Sequence, residues 1–96
     1  MSDECRETDP RQNPVEIRVT ASTCPMMPDG DTLYLNGPAV DYARSGPICL
    51  TAMNAIYPYV MLARFNVRSE ALEWHPPTGA YRVSCPCGIV SFEIRP

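Results

Sequence analysis

The chain has 96 residues, a formal net charge of −3 at pH 7, eight arginines and no lysine. A chain of that length forms one domain that buries roughly 60–65% of its unfolded surface, so the core is modest. The acidic balance and scattered arginines leave no basic footprint for nucleic acid, and no run approaches the ~18 apolar residues of a membrane span.

Residues 1–14 (MSDECRETDPRQNP) are polar, hold two prolines and show no apolar period, which predicts a flexible tail ahead of a single domain over 15–96. Acidic residues stand where a secretion signal needs a basic stretch followed by an apolar one, so a soluble, cytoplasmic protein is expected. A folded part this small often draws on a metal, a crosslink or a second copy of the chain in a homo-oligomer.

Val15, Ile17, Val19 and Ala21 alternate with Glu16, Arg18 and Thr20, the period-two pattern of a strand with one dry face. The prolines and the Asp29-Gly30 pair of residues 22–31 mark a loop, Thr32-Leu33-Tyr34-Leu35 reads as a short strand, and a second loop runs from Asn36 to Gly46. From Pro47 the period changes: Ile48, Cys49, Ala52, Met53, Ile56 and Val60 recur at helical spacing. Ser45 is the expected cap and Pro47 suits the first turn, while Pro58 removes the bond to the Asn54 carbonyl and predicts a kink or break. Ser69 to Trp74 has the makings of one helical turn, stopped by His75-Pro76-Pro77. Tyr81, Val83 and Cys85, then Val90, Phe92 and Ile94, alternate with polar residues on either side of Pro86-Cys87-Gly88, which predicts a hairpin. The whole is a small α+β fold, ββαββ, with a mostly antiparallel sheet and one main helix.

The five cysteines are an odd number, and in a reducing compartment metal binding or thiol chemistry is weighed ahead of a disulfide framework. Cys24 follows the first strand, Cys49 lies in the first turn of the helix, and Cys85 and Cys87 flank a strand-to-strand turn. All four are at element ends, where rigid scaffolds present functional groups. At Cys49 the N–H groups and positive dipole end of the helix favour a thiolate, making it a candidate nucleophile. Cys24, Cys49, Cys85 and Cys87 are also candidate ligands for zinc or iron, although the spacing is not that of paired C-x₂₋₄-C motifs. The plainer reading, that these thiols only pack as small hydrophobes, stands beside both.

His75 is the single imidazole and the candidate general acid or base, with the plain alternative of a loop histidine beside Trp74. Asp29, Asp31 and Asp41 offer carboxylates but sit in turn sequences, and Met26-Met27 fits packing or exposure better than soft-metal ligation. Five tyrosines supply polar handles on apolar bodies, which suits a pocket for a small aromatic or carbonyl compound as well as it suits a core. No phosphate-cradling glycine loop, Ser-His-Asp order or paired-carboxylate motif is present in the sequence.

Val15-Glu16-Ile17-Arg18-Val19, Cys24-Pro25, Gly30-Asp31, Ile48-Cys49, Ala55-Ile56-Tyr57-Pro58-Tyr59, Cys85-Pro86 and Val90-Ser91-Phe92-Glu93-Ile94 occur in that order. Together they resemble a family of small conserved hypothetical proteins, of about this length, defined by repeated Cys-Pro motifs. The resemblance spans residues 15–95 and implies that Cys24, Cys49 and Cys85 are the matching cysteines, without implying an activity. Many such relatives carry Gly-His after the first Cys-Pro, Pro after the second Cys and Asp after the last Cys-Pro. Here Met26-Met27-Pro28, Leu50 and Cys87 stand instead, so Cys87 is either an added ligand or a turn residue.

The expected function is a cysteine site at Cys24, Cys49, Cys85 and Cys87 that binds a metal or works as a thiol redox centre. Two alternatives accompany it. One is a small metabolite-processing enzyme, such as an isomerase, lyase or cyclase, with a tyrosine-lined pocket and Cys49 or Cys85 assisted by His75. The other is an interaction module in which the cysteines only pack.

Overall fold

Along β1 (Val15–Ser22) Val15, Ile17 and Val19 are buried while Arg18 and Thr20 are exposed, the alternation written in the sequence. The computed structural model describes residues 14–37 and 39–96. The tail expected over residues 1–14 therefore lies outside the described residues apart from Pro14. The other elements are β2 (Thr32–Asn36), β3 (Ala39–Val40), α1 (Leu50–Arg64), β4 (Trp74–His75), β5 (Ala80–Ser84) and β6 (Val90–Arg95), with a 3₁₀ turn at Glu70–Leu72.

The strands form one antiparallel sheet in the order β3-β2-β1-β6-β5-β4. The first and last strands are thus central neighbours, and each carries its own meander outward. Register places Leu33, Ile17, Ile94, Tyr81 and Trp74 in one row across five strands. That row and its neighbours Val19, Phe92 and Val90 face α1, which buries Ala52, Ile56, Val60 and Ala63 against them. Spacing of four, four and three residues puts those helix positions on one stripe, so a single helix covers a single sheet face.

Most expected elements are present, with three differences. The two-residue edge strands β3 and β4 extend the ββαββ pattern at both sheet edges, and two residues are too few to show a period. Ser45 does not cap the helix: its hydroxyl accepts from Tyr34 N (2.9 Å) and donates to Tyr34 O (3.4 Å), stapling the preceding loop to β2. The helix begins at Leu50 with Cys49 as N-cap. Pro58 lies inside an unbroken α1, because it and Asn54 are both exposed and the carbonyl left without a partner faces the wet side. Among the described residues no helix is long and apolar enough to cross a membrane.

Candidate functional site

β5 and β6 are joined by a tight turn whose backbone closes on itself: Cys85 N donates to Val90 O (2.9 Å) and Gly88 N to Cys85 O (2.9 Å). Pro86 presets one turn dihedral, and Gly88 adopts φ +74°, a left-handed conformation that costs glycine little. Cys85 is only 8% exposed and belongs to the core cluster, whereas Cys87 is exposed. Burial by itself pushes the Cys85 thiol up. The backbone N–H groups of Ile89, Val90, Cys87 and Gly88 together outweigh that penalty, so the thiol ionises below its ordinary value. Successive N–H groups around such a turn make a concavity suited to an anion.

Cys24 and Cys49 come to the same end of the sheet. Thr23 N donates to Ile89 O (3.0 Å), which lays the approach to Cys24 along the Cys85 turn. Cys49 accepts Met53 N at its carbonyl (2.9 Å), but its side chain makes no capping hydrogen bond. Cys24 and Cys49 are partly buried and pack against the core cluster that contains Cys85. A zinc or iron centre needs three or more of these side chains turned toward one point. Among the described residues no group of three or more His, Cys, Asp or Glu side chains is placed to hold a metal ion. The donor set therefore does not fit the metal that the sequence suggested: Cys85 faces backbone donors, Cys87 faces solvent, and the remaining two pack.

His75 is not brought to the thiols. It pairs with Ala80 at the start of β5, five residues from Cys85, on the order of 16 Å along a strand. Its Nδ1 lies 3.0 Å from Thr78 Oγ1, and that hydroxyl donates to His75 O (3.2 Å). The tyrosines are divided as well. Tyr81 is fully buried, donates its hydroxyl to Val67 O, accepts Ser69 N (3.3 Å) and packs against Tyr59 and Trp74. Tyr34 lies under the Arg44 guanidinium, 4.1 Å from its ring centre, and Tyr42 and Tyr57 are exposed. Of three clefts described among these residues, none is lined by more than one tyrosine. Met27 packs in the core and Met26 is exposed.

Two surface depressions had no signal of their own in the sequence. One, about 630 Å³, runs between α1 and Pro86 and is lined by Leu50, Met53, Ala55 and Tyr57 among others, with no charged side chain. The other, about 430 Å³, lies against β1, β5, β6 and the segment leading into β4, and its lining includes Arg82, Glu70, Glu73, His75, Ser84 and Ser91. Alternation in β5 and β6 foretold a polar sheet face, but the cleft needs the 70–75 segment folded beside it. The chain matches no family model, no curated protein and no solved structure.

Proposed function

We propose that the protein is a small thiol–disulfide redox module whose working couple is Cys85 and Cys87. The observation that supports this reading is the Cys85 thiol, which the N–H groups of its own turn bring to ionise below its ordinary value, with an exposed thiol two residues on. A stabilised thiolate is a good leaving group, and stabilising the reduced form makes a couple more oxidising. Residues two positions apart in a bent backbone, as Cys85 and Cys87 are, fall within the ~4.4–6.8 Å Cα separation that a disulfide spans.

In the oxidised protein, the thiolate of a substrate attacks the exposed Cys87 sulfur. The Cys85–Cys87 bond breaks, its electron pair staying on Cys85. A second substrate thiolate attacks the substrate sulfur of the mixed disulfide and expels Cys87 as a thiolate. The sum is two substrate thiols converted to one disulfide, with two electrons passed to the protein disulfide, which becomes a dithiol, and two protons passed to that dithiol or to water. A disulfide in the surroundings reoxidises the dithiol by the reverse steps. The uncharged groove beside Pro86 offers the substrate a surface next to Cys87. The resemblance to Cys-Pro proteins points to Cys85 among its three matching cysteines.

Equilibrating the full chain in glutathione redox buffers, trapping thiols by alkylation and mapping them by mass spectrometry tests this. A reversible Cys85–Cys87 disulfide, abolished in the Cys87→Ser variant, is expected. Absence of that disulfide at every ratio of glutathione to its disulfide sinks the reading.

A further inference from the structure

The cleft against β1, β5 and β6 shares no lining residue with the thiol turn. Arg82 and Glu73 are adjacent across β5 and the residue preceding β4, where Arg82 N donates to Glu73 O (3.2 Å). Opposite charges at such neighbouring positions ordinarily close on each other. Here neither side chain enters an ion pair among the described residues, although both line the cleft. Glu93, the cross-strand neighbour of Arg82 on its other side, is held instead by Arg95 at 2.8 Å. The cleft therefore offers one guanidinium and two carboxylates, Glu70 and Glu73, to a third group.

Neutral groups add to these. His75 lines the cleft, with its Nδ1 3.0 Å from Thr78 Oγ1. Ser84 and Ser91 add hydroxyl donors beside Arg82. Acceptors for an ammonium thus stand with Glu70 and Glu73, and donors for a carboxylate with Arg82, Ser84 and Ser91. A simple anion meets two like charges here and a simple cation meets the guanidinium.

We propose that this cleft binds a small zwitterion carrying an ammonium and a carboxylate on one carbon, that is, a free α-amino acid. A volume near 430 Å³ is at the small end of the ~300–1,000 Å³ typical of ligand sites, in keeping with a ligand of that size. Arg82 takes the carboxylate and Glu73 the ammonium, replacing the ion pair that the two do not make with each other.

The test titrates the ¹⁵N-labelled full chain at millimolar concentration with each proteinogenic L-amino acid, following the amides of residues 70–75, 82–84 and 91. For the tightest binder, N-acetylation or conversion of its carboxylate to an amide is each expected to weaken binding about tenfold or more, since each deletes a charge-assisted contact. Arg82→Gln is expected to weaken the amino acid and its N-acetyl derivative alike, but to leave the amide derivative, which has already lost its carboxylate, nearly unaffected. Glu73→Gln is expected to show the converse. The proposal is overturned if no amino acid moves those amides, if singly charged derivatives bind as well as the parent, or if Arg82→Gln binds normally. None of these outcomes depends on Cys85 chemistry.

Discussion

The two faces of the sheet differ sharply although the same strands make both. Under the helix, the row Leu33, Ile17, Ile94, Tyr81 and Trp74 is continuous, and its central members Ile17 and Ile94 are 0% exposed. One residue along each strand, the row Thr32, Arg18, Glu93 and Arg82 faces away from the helix and alternates charge. The difference teaches that stability comes from one side alone, which leaves the other face and the sheet ends free to carry chemistry. It also shields the open face from pairing sheet on sheet, because charged side chains resist burial without partners.

The largest test of that contrast is Phe92→Ala. Phe92 is buried between Val19 and Val83 in the register of the helix-covered face, and its loss is expected to cost about 3–5 kcal/mol in urea unfolding. Since a domain of this kind holds only ~5–15 kcal/mol in total, that loss removes a large share of its stability. A loss below ~1 kcal/mol would show that the face under α1 is not the source of stability.

Gly88→Ala sharpens the comparison at the sheet end. An added Cβ meets nothing within 4 Å, so the cost is that of the left-handed backbone alone, about 1–2 kcal/mol. Because the turn conformation aims the N–H groups at Cys85, the same change should raise the Cys85 thiol toward its ordinary value. Calorimetry and thiol titration on one sample separate the two effects. The smallest change is expected on the open face, where Arg18→Ala should shift stability by no more than ~0.5 kcal/mol, since Arg18 is exposed and forms no ion pair among the described residues. A shift as large as that of Phe92→Ala would erase the distinction between the faces.

Where periodicity was long, the sequence was a faithful guide: β1, β6 and α1 each repeat an apolar position three times or more, and the Pro86-Cys87-Gly88 hairpin carries its own turn chemistry. The pairing of β1 with β6 was not legible, because no local pattern records which distant strand fills the centre of a sheet. Ser45 looked like a cap because its spacing allowed one, yet the N–H of Tyr34 donates to its hydroxyl instead. Cys49 was the thiol favoured by helix position. The structure gathers backbone donors at Cys85 instead, through a φ at Gly88 that the letters Cys-Pro-Cys-Gly only hint at. His75 and Cys85 are close in the list of reactive residues but occupy opposite ends of β5, a separation that only the β4–β5 register reveals.

The central claim is that the turn's N–H groups lower the pH at which the Cys85 thiol ionises. The most direct measurement is the ultraviolet absorbance of thiolate against pH, taken as the difference between the reduced full chain and its Cys85→Ser variant. The account requires the Cys85 component to titrate below an ordinary thiol, and to move upward in Gly88→Ala. Titration at or above the ordinary thiol value, where burial alone would put it, would contradict the account.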